Sequence, residues 1–121
     1  MKNPLATPLN LGPVELPNRV LLAPLAGVSD IPFRRICGEL GAGLSYVEML
    51  SATGIRYRAK RTEQMMARHP DEPLLGVQLT GPDPDEIAWG VECLEKYPFD
   101  LVDLNMGCPV RKIVGKGWGS A

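Results

Sequence analysis

The stretch PLLGVQLTGPDPDEIAWGVECLEKYPFDLVDLNMGCP, residues 73–109, decides the fold. It holds two short apolar runs, PLLGVQL (73–79) and FDLVDLNM (99–106). Between them lies a segment whose helical part ends at about Lys96. That segment opens with DPDE (83–86), and acids at this place cap a helix and complement the positive end of its dipole. The stretch therefore predicts a strand, a helix and a second strand, which is the order of a parallel βαβ unit.

The same alternation predicts two more strands upstream. RVLLAPLA (19–26) is a continuous apolar run of the kind found in strands covered on both faces, and LSYVEML (44–50) is the next run. Between them, Ser29 or Asp30 can cap a helix, and glycines near residue 41 can end it. Turn signals in NLGPVELPNR (9–18) predict a small hairpin ahead of the first strand.

Two architectures fit this α/β pattern, an open doubly wound sheet and a (β/α)8 barrel of the TIM type. No G-x-G-x-x-G follows the first predicted strand, which weakens a dinucleotide-binding Rossmann interpretation. An eight-unit barrel takes about 250 residues. We therefore expect the 121 residues to form only about the first four βα units of such a barrel.

The composition describes a globular protein and leaves its partner open. Hydrophobic residues make up 45% of the chain, and 13 basic against 14 acidic residues give a net charge of −1, so whole-chain charge does not indicate a nucleic-acid partner. Three widely spaced cysteines and one histidine predict neither a metal site nor a disulfide framework. Without a signal peptide or an apolar run long enough to span a membrane, the sequence predicts a soluble cytoplasmic protein with no membrane partner.

Chemistry-bearing residues stand at the ends of all four predicted strands. They are Pro24, Leu25 and Ala26 after the first strand, Glu48 at the second, Gln78 at the third, and Asn105 with Cys108 at the fourth. Ligands of parallel α/β folds bind where strands end, so together these positions predict one site. Taken singly, each has a structural alternative: a tight turn at 24–26, a buried amide at Gln78, and a helix cap or ion pair at Glu48.

Cys108 lies in a Gly-Cys-Pro loop with Arg111 and Lys112 close behind it. Basic neighbours would lower the thiol pKa and favour a nucleophile, whereas an apolar seat would keep the thiol neutral and favour a proton donor. The only histidine, His69, is distant in sequence, which counts against a Cys-His nucleophilic pair. A small packed cysteine is the structural alternative, and the loop position weakens it.

Basic residues concentrate in two runs, RYRAKR (56–61) and the group Arg111, Lys112 and Lys116. A charge run is commonly a solvated face. Both runs follow strands on the side of the predicted site, and one contains a tyrosine. This arrangement suits contacts with the phosphates of an RNA.

Four segments, in this order and spacing, resemble the tRNA-dihydrouridine synthases. They are LAPLAGVSDIPFR (22–34), VEM (47–49), GVQLTGPDP (76–84) and DLNMGCPVRKIVGKG (103–117). The likeness covers nearly the whole chain, and its Asn-x-Gly-Cys-Pro segment is the most specific part. It implies an FMN enzyme with a (β/α)8 barrel and a C-terminal helical domain, which takes hydride from NADPH and reduces the C5–C6 double bond of uridines in tRNA.

The resemblance also implies roles for individual residues. The segment 24–26 would run along the flavin, and Gln78 would bond to its isoalloxazine ring. Asn105 would contact the target uracil, and Cys108 would give a proton to C5 while reduced flavin delivers hydride to C6. Arg111 and Lys112 would hold RNA backbone rather than activate a nucleophile.

The resemblance has two departures. Trp118 stands where the family usually has alanine, and the sequence ends before the loops that grip the flavin phosphate in such barrels. Residues 1–121 are thus expected to be the N-terminal half of an FMN-binding TIM-barrel domain, to bind FMN weakly or not at all on their own, and to self-associate through exposed sheet edges. Alternatives are another FMN barrel, such as a dihydroorotate dehydrogenase or enoate reductase, and a non-catalytic fragment.

Overall fold

The computed structural model describes residues 3–121, which form a parallel sheet with helices on one face. Its strands are β1 (Leu9–Leu11), β2 (Val14–Leu16), β3 (Leu21–Leu22), β4 (Leu44–Tyr46), β5 (Leu50–Ser51), β6 (Leu75–Thr80) and β7 (Leu101–Leu104). Its α-helices are α1 (Ile31–Glu39), α2 (Ala52–Arg56), α3 (Lys60–Met65), α4 (Pro84–Leu94) and α5 (Arg111–Val114), and a 3₁₀ turn covers Pro4–Ala6. None of the helices within residues 3–121 has the length and apolar character that crossing a bilayer requires.

The order of strands confirms the α/β prediction. β3 pairs with β4, β4 with β6 and β6 with β7, all in parallel, while β1 and β2 form the predicted antiparallel hairpin. The main strands follow one another across the sheet in chain order, without the reversal that defines a doubly wound sheet. Within the described residues, this order favours the wall of a barrel.

Two predicted strands are shorter or less regular than expected. The run 19–26 forms a strand only at Leu21–Leu22, because Pro24 has no N–H to donate and the chain then turns at Leu25, whose backbone N–H and carbonyl both bond the Ser29 hydroxyl. The run 44–50 is split into β4 and β5, both of which pair with the same side of β6.

The split in the second predicted strand is a β-bulge. Three residues separate Tyr46 from Leu50, whereas two separate their partners Gly76 and Leu79 on β6. The extra residue changes which face each later side chain meets. As a result Leu50 shares a face with Leu79 and is buried in the core.

The core lies between the sheet and helices α2 and α4. We call this side of the sheet the outer face. β6 directs Leu75, Val77 and Leu79 to it, and all three are completely buried. The buried core cluster comprises Val47, Leu50, Ala52, Ile55, Met66, Leu75, Val77, Leu79 and Leu94. The opposite side, here the inner face, carries Gly76 and Gln78 of β6.

Helix α1 begins and ends as the sequence predicts. The Asp30 carboxylate caps it by accepting from the backbone N–H of Phe33 at 3.0 Å, and Gly41 follows it with a left-handed φ of +99°. Ile36 of α1 and Leu40, the residue that follows the helix, remain 53% and 83% exposed. At the far end of the sheet, Leu104 of β7 is 44% exposed.

A buried ion pair joins α1 to the loop that precedes β6, and the sequence reasoning missed it. The guanidinium of Arg34 donates to both carboxylate oxygens of Glu72, at 2.6 and 3.2 Å, and each side chain is nearly inaccessible. Arg34 also donates to the carbonyls of Ser29 and Ala67, and Glu72 accepts from the backbone N–H of His69. The pair therefore fixes the turn that follows β3 relative to the loop 66–73.

We predict that Arg34→Met lowers the free energy of unfolding by about 3–5 kcal/mol, because it leaves the Glu72 carboxylate buried without a partner. Urea denaturation measures the change. The double variant Arg34→Met/Glu72→Met, which removes both charges, should be more stable than the single variant.

Arg35→Met is the matched control, since Arg35 pairs with Asp71 on the surface and its loss should cost less than about 1 kcal/mol. Equal losses in the two single variants would contradict the account of the buried pair.

Candidate functional site

The site is built around the loop that connects β7 to α5. In this loop the side-chain oxygen of Asn105 accepts from the backbone N–H groups of Gly107 and Cys108, at 3.3 and 3.0 Å. Such a turn holds the Cys108 backbone at a fixed place beyond the end of the strand. Cys108 is half-buried and lies in irregular structure, as the Gly-Cys-Pro sequence predicted.

The segment after α5 folds back onto the same cysteine. The backbone N–H and the hydroxyl of Ser120 both donate to the Cys108 carbonyl at 3.2 Å. Gly119 has a φ of +64°, and a Cβ there would lie 2.5 Å from that carbonyl oxygen, so only glycine fits. Cys108 is thus held from both sides of its loop.

A series of side-chain hydrogen bonds runs along the inner face to this loop. The amide nitrogen of Gln78 donates to the Asp103 carboxylate at 2.6 Å, and the amide nitrogen of Asn105 donates to the Gln78 oxygen at 2.9 Å. The register of β6 and β7 places Gln78 opposite Asp103, so these groups share one face. The structure therefore brings together three predicted residues, Gln78, Asn105 and Cys108.

Tyr46 covers the inner face beside this series. A Cβ on Gly76 would lie 2.5 Å from the Tyr46 ring, so the glycine makes room for that ring. The Leu101 side chain is also close to Gly76, since the same Cβ would lie 3.1 Å from it. Burial, together with the negative charge of Asp103, raises the pKa of the Tyr46 phenol above the usual tyrosine value. Tyr46 therefore stays neutral through the physiological range.

The predicted segment 24–26 lies at the same edge of the sheet, after β3, which is two strands from β6 and three from β7. Its backbone turns at Leu25, which is 41% exposed, and the hydroxyl of the buried Ser29 closes that turn. Among the hydrogen bonds of residues 3–121, none joins 24–26 to Gln78, Asn105 or Cys108.

Glu48 lies in the bulge and lines a different part of this edge. It borders a cleft of about 390 Å³ between the start of α1 and α3, together with Asp30 and Arg61. The cleft lining includes none of Gln78, Asn105 and Cys108. Among the described residues, Glu48 makes no side-chain hydrogen bond or ion pair with the cysteine loop.

The basic residues of both runs are exposed. Arg56 ends α2, Lys60 and Arg61 begin α3, and Tyr57 between them is 74% exposed. Arg111 and Lys112 are the first residues of α5 and are also exposed. Both groups follow strands that end at the edge carrying the cysteine loop.

Trp118 is accommodated in the segment that folds over Cys108. Its ring is partly buried and the Lys116 ammonium lies 4.7 Å from the ring centroid, a cation–π contact. Its backbone N–H donates to the Ile113 carbonyl at 3.3 Å. The indole does not prevent Ser120 from reaching the Cys108 carbonyl.

Sequence reasoning missed Asp103, Tyr46 and Ser120. Asp103 could have been found, because in FDLVDLNM the polar positions Asp103 and Asn105 alternate with the apolar residues Val102, Leu104 and Met106. That period places an acid on the same face as the predicted asparagine. No sequence signal marked Ser120, whose contact with Cys108 depends on how the chain turns after α5.

Polar side chains grouped at the ends of parallel strands define a ligand-binding edge of an α/β protein. Residues 21–121 match the family model described as Dihydrouridine synthase (Dus). The chain belongs to the dihydrouridine synthase family.

Curated proteins that are similar in sequence to this chain belong to the same family. The chain is 40% identical over 113 residues to "tRNA-dihydrouridine synthase B" of Pasteurella multocida, covering 93% of this chain and 34% of the relative. It is 39% identical over 114 residues to the protein of that name from Escherichia coli (strain K12), covering 93% and 35%. Against the Pseudomonas aeruginosa protein the identity is 35% over 113 residues, covering 93% and 34%. The chain spans about a third of the length of these curated relatives.

We predict that Tyr46 makes the fold less stable in alkali. Its pKa is raised in the folded state, so above about pH 10 the folded chain holds a proton that the unfolded chain releases. The free energy of unfolding therefore falls as pH rises through this range. Tyr46→Phe removes this part of the fall, which urea denaturation at pH 8 and at about pH 10.5 measures.

Tyr57→Phe is the matched control, because the same chemical change there removes an exposed phenol. A fall in Tyr46→Phe as steep as that of the unchanged chain would contradict the predicted role of Tyr46.

Proposed function

We propose that this chain supplies the flavin- and uracil-facing part of an enzyme that reduces uridines in tRNA to dihydrouridine. The reaction adds hydride to C6 and a proton to C5 of the uracil ring, with NADPH as the reductant and FMN as the carrier. The observation that carries the proposal is the hydrogen-bonded group of Gln78, Asn105 and Cys108 at one sheet edge, in a chain that matches the family over residues 21–121.

In this proposal the parallel sheet is part of a (β/α)8 barrel, of which residues 1–121 form about the first four units and the N-terminal half. The chain-ordered strands support this placement. The exposed apolar side chains at the two ends of the sheet, such as Val20 and Leu104, support it as well. Further βα units would cover both ends in a complete barrel, and a second copy of the chain could cover them by self-association.

The residues at the edge fit a flavin. The Gln78 amide uses one hydrogen on Asp103 and one lone pair on Asn105, so one hydrogen and one lone pair remain for a polar ring edge. Pro24, Leu25 and Ala26 form a turn with an exposed apolar side chain, against which a flat ring can lie. FMN, when bound there, supplies the hydride that the uracil receives.

Asn105 is suited to orient the uracil. Its oxygen is already occupied by two backbone N–H groups, and one of its amide hydrogens is given to Gln78. The remaining group is the second amide hydrogen, which is a donor. Asn105 therefore offers a donor to a carbonyl oxygen of the ring and leaves the C5–C6 bond free.

Cys108 supplies the proton in this scheme. A cysteine thiol carries one proton that it can donate as a general acid. When hydride reaches C6, the electron pair that develops at C5 takes the thiol proton, and the thiolate left behind later takes a new proton from water. Its half-buried place in a loop held by Asn105 and Ser120 supports this role, because the loop would hold the thiol in a fixed position relative to a bound ring.

The exposed basic groups serve the RNA backbone. Arg111 and Lys112 follow the cysteine loop directly, and the run 56–61 lies at the same end of the strands with an exposed tyrosine. Cations hold phosphates, and an exposed aromatic ring can stack on a base. The target uridine must leave the base stack to reach Cys108, and these contacts would offset part of that cost.

A chimera tests the proposal. The chain replaces the corresponding third of the Pasteurella multocida relative, with which it shares 40% identity. We predict that this chimera forms dihydrouridine in tRNA, measured by mass spectrometry. We also predict that Cys108→Ala lowers the rate of formation by about 100-fold or more, because general acids contribute on that scale. NADPH-driven flavin reduction should be unchanged.

Cys37→Ala is the matched control, since Cys37 is also half-buried but lies in α1. Loss of flavin reduction together with dihydrouridine formation in Cys108→Ala would show a structural cysteine. A chimera that binds FMN yet leaves tRNA unreduced, with Cys108 intact, would contradict the proposed function.

A further inference from the structure

The side chain of Asp103 is the one member of the inner-face series that neither the resemblance nor the strand-end argument assigns. It sits on β7 opposite Gln78 and is partly buried. A carboxylate placed among amides at a strand end has a desolvation cost, and a leucine, whose heavy atoms branch in the same way, would avoid that cost. The contacts that Asp103 makes therefore have to offset this cost.

The direction of every hydrogen bond in the series is fixed by chemistry. The Asp103 carboxylate only accepts, so Gln78 must turn its amide nitrogen toward it and its oxygen toward Asn105. Asn105 must then present its nitrogen to Gln78 and its oxygen to the loop. The loop contributes the backbone N–H of Cys108, which only donates, so both ends of the series require the same orientation.

We propose that Asp103 is a positioning residue, whose carboxylate anchors Gln78 and through it orients Asn105 and the Cys108 loop. The 2.6 Å bond from Gln78 is a charge-assisted bond of the strong kind. Without an acceptor at position 103 the Gln78 nitrogen has no partner in the series and its side chain rotates away. Asn105 then loses the bond to Gln78 that fixes its amide plane.

The orientation set by Asp103 determines which hydrogen-bonding atoms of Gln78 and Asn105 a ligand meets. With Asp103 in place, each amide keeps one spare N–H and only Gln78 keeps a spare lone pair, so the edge presents mainly donors and suits a ring with carbonyl oxygens or unprotonated nitrogens. In this respect the inference rests on the proposed function, since uracil and flavin rings carry such acceptors. The orientation itself can be tested with neither molecule present.

The test is amide hydrogen exchange at Cys108 in the 121-residue chain, followed by NMR without flavin or RNA. Asp103→Leu keeps the branching of the side chain's heavy atoms and removes the acceptor, and should raise the exchange rate of the Cys108 N–H by roughly three- to tenfold, as the loss of one ordinary hydrogen bond would. Asp103→Asn keeps an acceptor oxygen and should stay within about twofold of the unchanged chain. Urea denaturation of each variant reports global stability separately.

A double-mutant cycle tests whether Asp103 acts on the Cys108 loop through Gln78. Gln78→Met removes the middle of the series and should raise the rate as Asp103→Leu does, and the double variant should add nothing further. Asp100→Leu is the matched control, because this acid lies one residue before the same strand and bonds Leu75 and Arg68 instead. It should lower global stability without a selective effect at Cys108.

Unchanged exchange at Cys108 in a folded Asp103→Leu chain would overturn the proposal and leave the carboxylate as a space-filling group. Additive effects of Asp103→Leu and Gln78→Met would overturn it too. If Asp103→Leu does not fold, unchanged exchange in Gln78→Met alone overturns the proposal in the same way. Because none of these outcomes depends on tRNA reduction, they are distinct from failure of the proposed function.

Discussion

The parallel register of β6 and β7 is the constraint on which the rest of the structure depends. It pairs Gly76 with Leu101 and Gln78 with Asp103, and so assigns alternate residues of both strands to opposite faces. If the pairing of β6 slipped by one residue, Gln78 would turn to the outer face, toward the helices, and Val77 would turn to the inner face. Core and site are therefore specified together, because the same alternation buries Val77 and Leu79 on the outer face and places Gln78 on the inner face, where its amide bonds Asn105.

The two faces of the sheet contribute differently. The outer face is closed by apolar packing against α2 and α4, and it provides the stabilisation expected of burying apolar area. The inner face is organised by hydrogen bonds and by the Tyr46 ring over Gly76. The buried pair of Arg34 and Glu72 stabilises the turn after β3 from the helix side. Polar groups thus position the edge, and the apolar core supports it.

Much of this structure could be predicted from the sequence, and the reasons are physical. Apolar runs and the helix start at DPDE (83–86) predicted β6, α4 and β7, because burial and capping act locally. The grouping of Gln78, Asn105 and Cys108 followed from strand ends meeting at one edge. The bulge after Tyr46 and the Arg34–Glu72 pair could not be predicted, since both depend on contacts between segments distant in sequence.

The most direct test of the account is a crystal structure of the Pasteurella multocida chimera with FMN and a uridine-containing oligonucleotide. The quantity to measure is the distance from Cys108 Sγ to C5 of the bound uracil. The account predicts roughly 3–3.5 Å, the separation of reacting atoms, with Gln78 in hydrogen-bond contact with the flavin ring. A uracil bound elsewhere, or a flavin out of reach of Gln78, would contradict it.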